Sequence, residues 1–119
     1  MVIPDADIWI DLLVNEHLPS SRALRSLILN GEALLTGLSL SEVLRGTRGR
    51  DEARAEIVLA QVPYVEMTRA AWSRAGRIAS DLDRKGLPIP MSDVQLSAIA
   101  IELNHHLYTR DRHFERIRV

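Results

Sequence analysis

Apolar and polar positions follow two rhythms along this chain, and the switches between them outline its elements. Residues 1–4 form a short apolar run that reads as a strand, ended by Pro4 where a lost N–H is tolerated. Trp9, Ile10, Leu12 and Leu13 then supply the apolar side of a first helix over about 7–14. Ser20 or Ser21 stands where a cap is needed for a second helix, which carries Leu24, Leu27 and Ile28 to a stop at Asn30-Gly31. Residues 33–36 read as a second strand. Ser39 is expected to cap the next helix, because Ser39-Leu40-Ser41-Glu42 has the capping-box pattern.

The second half repeats the theme. Residues 50 to about 60 are helical by composition, and 62–66 form a brief extended piece marked by Pro63. Thr68 is placed to cap a long helix with Trp72, Ala75, Ile78, Ala79 and Leu82 at three- and four-residue steps. The clearest break is Lys85-Gly86-Leu87-Pro88-Ile89-Pro90. Beyond it, Ser92 is expected to cap a helix over 93–103, apolar on more than one face and therefore buried. Residues 107–109 read as a third strand, followed by a turn at Arg110-Asp111 and a final strand at Ile117. Strands separated by helices favour an α/β fold, a small parallel sheet covered on both sides.

Length and composition narrow this further. A chain of 119 residues predicts one domain over 1–119, with a core of useful size. There is no cysteine, which removes disulfides, zinc–thiolate sites and thiol catalysis. No apolar run is long enough to span a membrane, and no signal-peptide pattern opens the chain, so a cytoplasmic location is expected. The net charge of −1 selects no partner. Nearly all the positive charge is arginine, Lys85 being the only lysine, a skew that compositional bias accounts for.

The candidate chemistry lies in four carboxylates, each placed where an apolar run ends or a helix begins: Asp5, Glu42, Asp93 and Asp111. An acid beside a buried strand is costly unless it is solvated, paired or holding a cation. In an open parallel sheet, functional groups gather beyond the carboxyl ends of the strands. Asp5 and Asp111 follow strands directly, Asp93 begins a helix, and Glu42 is expected in the first turn of another. Each alone has an ordinary role, as a strand-end turn, a helix-dipole partner, a tight turn and a capping-box acid respectively. Together they suggest convergence on a hard divalent cation, Mg²⁺ or Mn²⁺.

An arginine cluster follows two of these acids. Arg45, Arg48, Arg50 and Arg54 surround one loop, and Arg110, Arg112, Arg116 and Arg118 crowd the C-terminus. Guanidinium forks match phosphate geometry, so Arg45, Arg48, Arg110 and Arg112 are candidates for a nucleic-acid backbone. The plainer account is a solvated face paired with Asp51, Glu52, Glu56 and Glu115.

The residues around the acids carry a resemblance. Asp5-x-x-Ile-x-Ile-Asp-Leu-Leu, Leu-Ser-Glu42-Val-Leu-Arg-Gly, Pro-x-Ser-Asp93 and Tyr-Thr109-Arg-Asp111-Arg-His-Phe resemble, in that order, the PIN-domain family. Within it they look most like the VapC toxins of toxin–antitoxin pairs. The resemblance implies a PIN-like small parallel β-sheet sandwiched by α-helices. It also implies a Mg²⁺- or Mn²⁺-dependent endoribonuclease that leaves 5′-phosphates, forms a homodimer and is neutralised by a VapB-like antitoxin. By position, Asp5, Glu42, Asp93 and Asp111 become the acidic metal site, for one ion or two, and Thr109 the hydroxyl that orients it. Asp5 and Asp93 are expected as direct ligands, Asp111 as a direct or water-mediated one, and Glu42 as the group that positions the attacking water. Many members have Thr or Ser after the first acid, whereas this chain has Ala6 and then Asp7, a candidate either to support the metal ligands from behind or to cap the first helix.

Two other readings remain open. Asp5-Ala6-Asp7, Leu34-Leu35-Thr36-Gly37, Lys85 and Ser92-Asp93 resemble the parts of a haloacid-dehalogenase-like phosphatase, although Glu42 and Asp111 then have no role. A non-catalytic RNA- or antitoxin-binding module is the other. His105-His106 reads as a dipole partner at a helix end and His113 as a loop residue. Trp9 and Trp72 read as core or subunit contacts, and the apolar side of the long helix as a surface for dimerisation or antitoxin docking.

Overall fold

The computed structural model describes residues 1–117. Its strands are short and all parallel. Strand β1 (Val2–Pro4) pairs with β4 (His106–Tyr108), setting Pro4 opposite Tyr108. Strand β2 (Leu35–Thr36) pairs with β3 (Tyr64–Val65). A single bridge at Val2 and Ala33 joins the two pairs, so the order across the sheet is β3-β2-β1-β4.

The alternation of side chains along this sheet feeds two apolar layers. Ala33 and Leu35 face a cluster built from Ile8, Trp9, Leu13, Leu24, Val43 and Leu59. These belong to α1 (Ala6–Val14), α2 (Pro19–Leu29), α3 (Gly37–Gly46) and α4 (Arg50–Leu59). Ile3 and Leu34 face the other way, onto Ala71 of α5 (Arg69–Arg84) and Leu96, Ile99 and Ala100 of α6 (Met91–Glu102). Helix α6 buries Val94, Leu96, Ser97, Ala98, Ile99 and Ala100, as an element apolar on several faces should. The α/β sandwich expected from the pattern is the fold observed.

Several helix starts differ from the sequence reading, each for a local reason. Pro19 occupies the first turn of α2, where its fixed φ and missing N–H cost nothing, so Leu18 is the N-cap. The hydroxyls of Ser20 and Ser21 turn instead to Asp11 Oδ2 and the Asn15 carbonyl, at 2.9 and 2.8 Å. Thr36, not Ser39, caps α3, its Oγ1 accepting the Ser39 N–H at 3.1 Å. Ser39 is thereby carried inside the helix and buried, and Glu42 moves to the second turn with no capping-box role. Pro90 precedes α6 in place of Ser92, and Asp5 caps α1 in place of Asp7. Thr68 caps α5 as expected, accepting the Ala71 N–H at 3.1 Å. Ile117 is not a strand, because Asp111 starts a 3-10 turn over Arg112–Arg116 that ends the described chain. Arg118 lies outside the described residues. No helix among the described residues is long and apolar enough to cross a membrane.

Candidate metal centre

The parallel pairing of β1 with β4 makes the site. Because Pro4 and Tyr108 are partners, the chain leaves both strands at the same edge, and the Asp5 N–H donates to the Tyr108 carbonyl at 3.0 Å. Asp5 is only 8 % exposed, and both of its oxygens are used. Oδ1 caps α1 by accepting the Ile8 N–H at 3.2 Å, and Oδ2 accepts the Thr109 hydroxyl. Thr109 Oγ1 in turn accepts the Asp111 N–H at 2.9 Å. One hydroxyl therefore ties the first acid to the last.

Asp93 enters from the first turn of α6, and Asp111 from the cap of the 3-10 turn, where its Oδ1 accepts the His113 N–H at 2.9 Å. Glu42 reaches the same place from the outer face of α3. Asp5, Glu42, Asp93 and Asp111 all line one small pocket of about 50 Å³, together with Asp7, Ser39 and Ser92. That volume holds an ion with a few waters, not a nucleotide, so a phosphate must approach at its mouth. All four acids singled out from the sequence meet here.

His113, a loop residue by its sequence, stands among these acids. Its Nδ1 lies 3.3 Å from Asp93 Oδ2 and 3.2 Å from Asp111 Oδ1. Only its spacing of two from Asp111, within a tight turn, hinted at this. Asp7, by contrast, is exposed on the first turn of α1. Lys85 does not line the pocket and pairs with Asp81 at 2.9 Å, so the phosphatase reading lacks its lysine at the acids. His105 and His106 stand at the opposite edge of the sheet, where the His106 N–H donates to the Met1 carbonyl.

The arginines divide. Arg54 leaves the candidate phosphate face and donates to the Leu13 carbonyl at 3.0 Å. Arg45, Arg48 and Arg50 remain exposed beyond Glu42. Arg110 pairs with Asp11, Arg112 with Glu115 at 3.8 Å, and Arg116 donates to the Pro88 carbonyl at 3.2 Å. Trp9 is core, but Trp72 is 50 % exposed and lines a second groove with Tyr64, Met67 and Glu42, so it is not a core residue.

The electrostatics of these acids favours a cation beside them. Burial is the main force raising the Asp5 carboxyl above its ordinary range, against the hydrogen bonds from Thr109 and Ile8 that favour the charge. Burial raises Asp93 too, aided by the charges of Asp111 and Asp5 and opposed by His113. Desolvated acids at close quarters, with further oxygens beside them, make a donor set that suits a hard divalent ion.

The sign follows from linkage. A carboxyl raised in the fold binds its proton more tightly than in the unfolded chain. Its contribution to stability is complete below the unfolded value and lost as pH rises through the ordinary carboxylate range to the shifted value. A cation that relieves the charge acts only above that window. Mn²⁺ is therefore expected to raise Tm at about pH 7.5 and to do little at about pH 4, in thermal scans of the same protein. Equal shifts at both values exclude these acids as the binding groups.

A family model described as "PIN domain" matches residues 2–119. Solved structures share the fold at low identity. VapBC2 from Rickettsia felis aligns with a TM-score of 0.78 at 21 % identity, covering 98 % of this chain and 93 % of that one. A toxin–antitoxin complex from Klebsiella pneumoniae gives 0.78 at 18 %, covering 96 % and 90 %. VapC20 from Mycobacterium tuberculosis gives 0.70 at 15 %, covering 97 % and 93 %. No curated protein matches the sequence.

Proposed function

This chain belongs to the PIN-domain family, and we propose from that membership that it is a divalent-metal-dependent endoribonuclease, the toxin of a toxin–antitoxin pair. The observation that carries the proposal is the meeting of Asp5, Glu42, Asp93 and Asp111 at one small pocket on the carboxyl edge of the sheet. The neighbours lend support, since VapC20 is a sarcin–ricin loop cleaving toxin and the Klebsiella structure is a toxin–antitoxin complex.

Asp5, Asp93 and Asp111 hold a Mg²⁺ or Mn²⁺ ion in this reading. When bound, such an ion would supply polarisation of the scissile phosphate and a more acidic water at neutral pH. The chain's own groups supply the rest. Thr109, fixed by the Asp111 N–H, holds the Asp5 carboxylate in one orientation, so no reorganisation is needed as charge develops. Glu42, exposed at the mouth, positions the attacking water and accepts its proton as the bond to phosphorus forms and the bond from phosphorus to the departing 3′ oxygen breaks, that oxygen taking a proton from water. Arg45, one turn along α3 from Glu42, and Arg48, Arg110 and Arg112 hold flanking phosphates. These arginines give placement, not base specificity.

A homodimer and a VapB-like antitoxin complete the proposal. The half-exposed Trp72 on α5, beside exposed Tyr64, supports an apolar contact surface next to the site.

The test is Mn²⁺- and Mg²⁺-dependent cleavage of a structured RNA pool by the antitoxin-free protein and by Glu42→Gln. Metal-dependent cutting is expected, reduced roughly 10–100-fold by the substitution, as for loss of a group that orients a metal site. Phosphatase activity on a small phosphomonoester that survives Glu42→Gln, with no RNA cutting, would sink the proposal.

A further inference from the structure

We infer that His113 is a nitrogen ligand of the metal site and tilts it toward Mn²⁺ and other first-row transition ions over Mg²⁺. The inference rests on the metal-dependent reading above and concerns what that reading leaves open, the identity of the ion. It starts from spacing. Asp93, Asp111 and His113 each offer one donor atom, and the three atoms lie within 4.8 Å of one another. His113 Nδ1 stands 3.2 Å from Asp111 Oδ1 and 3.3 Å from Asp93 Oδ2. Ligands about 2.1 Å from an octahedral ion lie about 3 Å from their neighbours, so the ring nitrogen and the two acids are spaced like adjacent corners of one coordination shell.

The ring is held there by the chain. The Asp111 carboxylate accepts the His113 N–H at 2.9 Å, which fixes the two residues in one tight turn. Phe114 follows and packs on the layer of Ile3, Leu96 and Ile99, anchoring that turn to the core. Asp93 approaches from a different element, the first turn of α6. Two segments far apart in sequence thus present two oxygens and one nitrogen to the same point, inside a site whose other acids are oxygen donors.

The chemistry sets the consequence. Mg²⁺ takes oxygen ligands and gives up its waters reluctantly, whereas imidazole nitrogen suits transition ions. Carboxylates alone suit Mg²⁺ and Mn²⁺ alike, whereas an added imidazole favours the transition ion.

Pulsed electron spin resonance of Mn²⁺ on the ion-stripped full chain reads the inference directly. Expected is a nitrogen coupling from a bound imidazole, which changes on ¹⁵N-histidine labelling and is lost in His113→Ala while Mn²⁺ still binds. His17→Ala, at an exposed position away from the pocket, should keep the coupling. Competition between Mn²⁺ and Mg²⁺ gives a second readout, with Mn²⁺ preference falling about tenfold or more in His113→Asp, which puts an oxygen donor in place of the ring. That variant and the labelled wild type also cover the case in which His113→Ala does not fold. Mn²⁺ bound to wild type without nitrogen coupling, or a coupling that survives in His113→Ala, overturns the inference and leaves the metal site standing. Wild type that binds neither Mn²⁺ nor Mg²⁺ overturns both.

Discussion

Asp5→Asn is expected to cost roughly 10²–10³-fold in metal-dependent RNA cleavage, the scale for removing one charged or donor group from a preorganised site, and yet to stabilise the ion-free protein. The two effects share a cause. Asp5 is buried at the end of β1, and burial outweighs the hydrogen bonds that favour its charge. Asparagine keeps the oxygen that caps α1 and stays neutral, so the desolvation cost disappears. The gain is a Tm increase of about 4 °C for each 1 kcal/mol of cost removed in a domain of this size.

The gain should depend on pH in one direction. It is present at about pH 7.5, where wild-type Asp5 is charged, and fades as pH falls through the ordinary carboxylate range, where wild type takes up its proton. Saturating Mn²⁺ should reverse the order, because wild type, with the Asp5 carboxylate beside the ion, gains more by binding it. Thermal scans at both pH values, with and without Mn²⁺, check this alongside the cleavage assay. An Asp5→Asn protein that is less stable than ion-free wild type at about pH 7.5 contradicts the account, as does one that cuts RNA at close to the wild-type rate.

Trp9→Ala is expected to cost about 3–5 kcal/mol, a large share of the roughly 5–15 kcal/mol that holds a domain together. Trp9 is wholly buried and sits in the cluster that joins α1 to α2, α3 and α4. It also lies on the helix whose N-cap is Asp5, so its loss loosens the scaffold of the site as well as the core. Its indole N–H has no hydrogen-bond partner among the described residues, and the residue therefore works by apolar packing. Trp9→Phe, which keeps an aromatic ring and removes the unpaired donor, should cost clearly less. Denaturant unfolding of the two variants separates them. Equal losses would mean that the indole is held by more than packing.

The elements of this fold could be read because their signals are local. Leu34 and Leu35 alternate, and the structure sends them to opposite layers. Helix α6 is apolar on several faces and is buried. Thr68 precedes a periodic run and caps it. The acids were legible for a related reason: each stands at a strand end or early in a helix, and in a parallel sheet those places share an edge. The caps were less legible. Three of the helix starts moved because a neighbouring Pro19, Thr36 or Pro90 competed with the serine that fits the cap rule.

The sequence by itself therefore determined the kinds of element as far as β4, their order, and the four acids that line the pocket, since period, breaks and residue type are properties of short stretches. Only the tertiary structure decided which atoms meet. Thr109 reaches Asp5 across 104 residues, and His113 reaches Asp93 across 20. Arg54 is drawn from the loop cluster to a carbonyl of α1, and Glu42 stays exposed while Asp5 is buried. Such contacts depend on how the two helical layers close over a sheet only two or three residues deep, and no short stretch of the chain carries that information.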